Sequence, residues 1–135
     1  MKIPRLIITL AALLLPFTAT ADTVASGSLE QDSFFTKLEG DWQIESVGDE
    51  TRIVFAENFS GKKAPDLKVF LSRRDFGDIN GRNAADSEAV LIAPLSSFEG
   101  QMSFVVPDGV DLNDFASLIV HCEAYSKLWG GSALR

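Results

Sequence analysis

Three side chains in this chain have the types that redox or nucleophilic chemistry uses: Cys122, His121 and Met102. The first two are the only cysteine and the only histidine. A blue-copper centre takes two histidines, one cysteine and usually a weak axial methionine. One histidine is missing, so a monomeric cupredoxin is excluded by ligand count. Zinc and iron–sulfur centres fail likewise, because one cysteine and one histidine would need several carboxylates or a second subunit to complete the set. Asp78-Ile79-Asn80-Gly81 looks like the middle of an EF-hand loop. Its frame, however, puts Phe76 and Ser87 where calcium needs carboxylates.

Nucleophilic catalysis meets a geometric obstacle. His121 and Cys122 are sequence neighbours, and on a strand successive side chains point to opposite faces. Leu118, Val120 and Cys122 would share one face, and Ile119 and His121 the other. A histidine so placed is a poor base for the adjacent thiol. A free thiol titrates near 8.5, and lowering that takes a nearby cation or a helix N-terminus. The acidic chain pushes the other way. There is no nucleophile elbow, usable triad or phosphate loop, Gly130-Gly131 being too isolated. Nothing singles out a pair of carboxylates for glycoside chemistry.

Compartment makes the lone cysteine informative. Lys2 and Arg5 precede an apolar run over residues 6–17, and Ala19-Thr20-Ala21 fits a small-x-small cleavage rule. A run of about 12 residues is too short for a bilayer, which needs roughly 20. The expectation is a cleavable signal peptide over residues 1–21 and an exported protein, periplasmic or extracellular. In an oxidising compartment a single cysteine cannot close a disulfide within its own chain. Cys122 is then an inert packing residue, half of an intermolecular disulfide, or a working thiol or cofactor ligand. No particular cofactor follows from the residues.

Removing the first 21 of 135 residues leaves 114, enough for one domain with one core. Losing Lys2 and Arg5 takes the formal charge from −7 to −9. That charge repels nucleic-acid backbones and anionic lipid heads. The expected partner is a redox or envelope protein, with no nucleic acid and no stable membrane insertion.

The elements that would position Cys122 read as strands. Residues 22–32 are small and polar, and read as a flexible lead. From residue 33 onward the apolar period is two. Trp42 and Ile44 alternate with polar neighbours, Gly48-Asp49-Glu50 marks a turn, and Ile53 and Phe55 follow, which predicts a hairpin. Leu67, Val69 and Leu71 share a face of a third strand. Residues 73–88 read as a long surface loop. Strands return over 89–93 and 101–106, residues 111–115 can make one helical turn, and 117–122 is the strongest β-run. A last short strand is expected over 125–129. Of the plentiful aromatics, Phe34, Phe35, Trp42, Phe55, Phe59, Phe70 and Phe104 read as core packing, and Trp129 as closing one end. The pattern predicts an all-β chain: one antiparallel β-sandwich or flattened barrel over residues 33–135.

An ordered set of segments carries a family likeness. These are Asn58-Phe59, Ala64-Pro65-Asp66-Leu67-Lys68-Val69-Phe70-Leu71-Ser72, Gly100-Gln101, Val106-Pro107-Asp108-Gly109-Val110-Asp111-Leu112, Phe115-Ala116-Ser117-Leu118-Ile119-Val120-His121-Cys122 and Gly130-Gly131-Ser132-Ala133-Leu134. Together they resemble the electron-transfer DM13 domain, a small extracytoplasmic β-sandwich module. The resemblance implies a role in electron transfer or oxidative modification, and the family's redox cysteine falls on Cys122. Two positions depart from it. His121 stands where the family tends to have an aromatic, and Tyr125 where it has phenylalanine. If the aromatic shields or tunes the sulfur, a histidine changes the polarity there. Two functional expectations follow: a redox module acting through Cys122, or a non-enzymatic envelope binding or structural module in which Cys122 packs the core.

Overall fold

Apolar residues at every second position force strands, and eleven strands with three short 3-10 turns form among the described residues, with no α-helix. The computed structural model describes residues 12–16 and 18–135. The charged start and about half of the apolar run read as an export signal lie outside them. In chain order the strands are β1 (Ala21–Ser28), β2 (Glu30–Gln31), β3 (Leu38–Glu39), β4 (Asp41–Val47), β5 (Glu50–Phe55) and β6 (Ser60–Gly61). They continue as β7 (Leu67–Ser72), β8 (Ala89–Pro94), β9 (Met102–Val105), β10 (Ser117–Cys122) and β11 (Lys127–Ala133).

All pairings are antiparallel. One sheet runs β1-β4-β5-β9, the other β2-β11-β10-β7-β8, and β3 pairs with β6. No sheet closes on itself, so the flattened-barrel alternative does not hold and Trp129 has no barrel end to close. The two large sheets instead share one apolar core. Trp42, Ile44, Ile53, Phe55 and Phe104 enter it from the first sheet, and Leu67, Val69, Leu71, Leu118, Val120 and Cys122 from the second. Trp129 is buried in the same core, and its indole N–H donates to the Lys62 carbonyl at 3.1 Å. Burying one such large side chain stabilises the fold by about 1.5–3 kcal/mol.

The predicted β4–β5 hairpin is present, with Val47 opposite Glu50 and Gly48 at φ +60° in the two-residue turn. That left-handed conformation is one glycine adopts without steric penalty. The single helical turn forms over Leu112–Asp114, capped where the Asp111 carboxylate accepts from the Asn113 N–H at 3.0 Å.

Several expectations need correction. The polar lead over residues 22–32 is not loose: β1 pairs along β4, β2 pairs with Gly130 and Gly131, and Leu29 between them is 6% exposed. Backbone pairing at a sheet edge needs no apolar alternation, so composition hid it. Phe34 and Phe35 do not enter the core. They sit at a turn, 87% and 70% exposed, packed edge to face on each other at 5.7 Å. The segment 73–88 is not merely a surface loop, because Ile79 and Ala84 are buried. With Phe76 beside them, they cover the outer face of the second sheet over Phe70, Ile119 and Leu128.

The last strand starts later and runs further than its apolar residues suggest, passing through Gly130-Gly131. Neighbouring backbones lie too close there for a side chain. A Cβ at Gly130 would be 2.1 Å from the Glu30 carbonyl oxygen, and one at Gly131 2.3 Å from that of Leu118. Gly130→Ala should therefore destabilise the domain by about 1–3 kcal/mol, lowering Tm by roughly 5–15 °C in a circular dichroism melt. Gly77→Ala is the control, since an added Cβ there meets nothing within 4 Å and should change stability by under about 0.5 kcal/mol. Equal melting of the two variants would show that the close approach at Gly130 does not matter.

Candidate functional site

Cys122 ends β10, the strand between β7 and β11 in the second sheet. It lies opposite Leu67 on one side and Lys127 on the other. All six residues of β10 are buried. A strand packed on both faces reads as a continuous apolar run rather than an alternating one, as 117–122 does. The inner face carries Leu118, Val120 and Cys122 into the core between the sheets. The outer face carries Ile119 against the 73–88 segment, with His121 edge-on to Phe70 at 6.2 Å between ring centroids.

The sulfur-bearing residue has 0% exposure and makes no disulfide. It borders none of the principal surface clefts among the described residues. Its packing partners are aliphatic and aromatic side chains of the core. In that dry shell the cysteine packs as a small hydrophobe. Lys127, the nearest cation in register, is exposed to solvent. Beyond Cys122 the chain turns at once through Glu123–Tyr125, where Tyr125 is 66% exposed, so the buried cysteine directly adjoins a surface turn.

His121 and Cys122 are not brought together, since the sheet itself lies between their side chains. Met102 is also buried in the core, on β9 of the opposite sheet. Among the described residues, no three histidine, cysteine, aspartate or glutamate side chains meet in a way that could hold a metal ion. The Asp78-Ile79-Asn80-Gly81 stretch is occupied by its own turn. Asn83 donates through Nδ2 to the Asp78 carbonyl at 2.9 Å, and the Asn80 N–H donates to Asn83 Oδ1 at 2.8 Å.

His121 is the unusual polar group. It is 2% exposed, and its Nδ1 has no hydrogen-bond partner. Burial holds its pKa below the usual histidine range; the charges of Glu123 and Asp66 and the Lys127 backbone oppose this without reversing it. Lys68, opposite His121 on β7, pairs with both Asp66 and Glu123, and the Glu123 contact raises its own pKa. The carboxylates near the imidazole are thus already engaged. Sequence reasoning missed this buried histidine and the segment covering it. The signal was present in Ile79, the one β-branched aliphatic residue of an otherwise polar stretch, and in Gly81, where a Cβ would be 2.1 Å from the Ser126 carbonyl oxygen.

No helix of the described residues is long and apolar enough to cross a membrane. No curated protein and no solved structure matches the chain. A family model does: the electron-transfer DM13 domain matches residues 31–134, from β2 through the end of the core. That match covers most of the chain and every strand from β3 to β11, so the chain belongs to the electron-transfer DM13 family.

Proposed function

We propose that this chain is an exported, periplasmic or extracellular DM13 module that serves by binding a redox or envelope protein, with Cys122 packing its core. The burial of Cys122 at 0% exposure, on the inner face of a strand covered on both sides, carries this reading. Family membership associates the domain with electron transfer. In this reading the electrons are handled by the protein it joins, and the domain contributes position and surface. The signal-like pattern of residues 1–21 is what supports export in this reading.

A second reading keeps the redox role on Cys122 itself, and one observation favours it. The residue caps the exposed Glu123–Tyr125 turn at the very end of its strand, where local opening needs little of the sheet to separate. The thiol would then work only in a transiently opened form.

Iodoacetamide labelling followed by intact mass separates the two. In native buffer Cys122 should stay unmodified over hours, and it should take one adduct in denaturant. Fast native labelling would overturn the packing reading. Slow native labelling whose rate does not depend on reagent concentration would mean opening-limited exposure, and would favour the second reading.

Substitution gives an independent check. Cys122→Val keeps the site apolar and filled, adding about one methyl group, and should cost less than about 1.5 kcal/mol, whereas Cys122→Ala leaves a void and should cost about 1–3 kcal/mol in urea denaturation. A Cys122→Ala protein as stable as wild type would show that the side chain does not support the core.

A further inference from the structure

The outer face of the second sheet presents Phe70, Ile119 and Leu128, and residues 76–86 lie over it with Phe76, Ile79 and Ala84 pressed against those side chains. The attachment is of one kind only. Among the described residues, every hydrogen bond made by 76–86 stays within the segment or goes to its own root. The root is firm: Arg74 pairs with Asp86 at 2.6 Å, Ser117 Oγ donates to the Arg74 carbonyl at 2.6 Å, and the Arg73 N–H donates to Glu88 at 2.9 Å. Between these anchors a self-bonded flap rests on the sheet by apolar contact and by the close fit of Gly81 on the Ser126 backbone.

His121 lies beneath the edge of this flap. Gly81, Arg82, Ala85, Asp86, Glu123 and Ser126 line a cleft of about 380 Å³ that reaches the edge of the ring, so a proton can arrive although the residue itself is only 2% exposed. We propose that residues 76–86 are a proton-released cover: when His121 takes up a proton the segment lifts from the sheet and bares Phe70, Ile119 and Leu128.

The charged groups around the ring explain why lifting is the response. From the cover come Arg82 and Asp86, from the β10–β11 turn Glu123, from β7 and its approach Lys68 and Asp66, and from β11 Lys127. Asp86 is committed to Arg74, and Asp66 and Glu123 to Lys68. Glu123 and Asp66 favour the imidazolium through space but none of these carboxylates hydrogen-bonds the ring, so the desolvation of a buried charge is relieved by water, which enters when the cover opens. The closed form holds the imidazole neutral, because burial lowers its affinity for a proton. The open form binds a proton near the ordinary value of about 6.5. The open form therefore carries more protons, and acidification favours it. Closure is fully supported above about pH 6.5 and weakens as pH falls below it, until the closed form also protonates.

Amide hydrogen exchange read by mass spectrometry on the whole domain tests this, after correction for the intrinsic pH dependence of exchange. From pH 7.5 to 5.5, protection over residues 79–84 should fall by up to about tenfold, since proton binding to a site titrating near 6.5 raises the weight of the open form about tenfold over that interval. The β4 and β5 amides should keep their protection. In His121→Phe, which preserves the edge-on packing with Phe70 but cannot titrate, protection over 79–84 should be the same at both pH values. His121→Gln is a second non-titrating variant should the first fail to fold. Unchanged wild-type protection at pH 5.5 would overturn the proposal. So would an equal loss in either variant, or a loss shared by β4 and β5, which would mean global unfolding. The outcome is independent of Cys122 labelling, so the cover and the packing role stand or fall separately.

Discussion

The constraint on which the rest depends is that β10 must be dry on both sides. Six consecutive residues, Ser117–Cys122, have almost no contact with water. A strand in that position needs a second sheet against its inner face and something other than a sheet against its outer one. The β1-β4-β5-β9 sheet meets the first need and the 73–88 segment the second. The flanking strand must also come close, which is why β11 carries Gly130-Gly131 instead of the branched residues that strands normally favour. Covering the inner face seals the cysteine, and covering the outer face strips the histidine of water. Two chemically distinct groups thus owe their states to one placement.

Much of this was legible in the residues. The β4–β5 hairpin, the facing of Leu67, Val69 and Leu71, and the division of β10 between its two faces all follow from a period of two, which tertiary packing preserves. What escaped was structure held by backbone rather than by apolar pattern. β1 and β2 pair through small polar residues, and the ladder they join supplies the partners for their amides. Phe34 and Phe35 show the converse error, since aromatic identity signals burial only when position in the chain agrees.

At the candidate site, sequence reasoning separated Cys122 from His121 correctly and favoured a buried cysteine, but it read His121 as a surface or half-buried sheet residue, whereas the imidazole is buried as well. Burial of the outer face rests on a loop whose few apolar residues, Phe76, Ile79 and Ala84, are too widely spaced to show a period. A polar composition concealed a structural cover. The departure at His121 gains meaning here: an aromatic would fill the same space against Phe70 with no polar nitrogen left unpartnered. Family membership identifies the domain's electron-transfer association, while the placement of its own side chains decides how Cys122 can take part.

Among the described residues the two large sheets leave four open margins, and each is blunted. β2 is only two residues long, and β8 ends on Pro94 with a slip in its ladder between Val69 and Phe70. β1 is interrupted between Thr23 and Ala25, and β9 offers four residues. An unbroken margin would template pairing with another chain, and such interruptions deny it the length to do so. The domain can therefore accumulate without its margins templating fibrils.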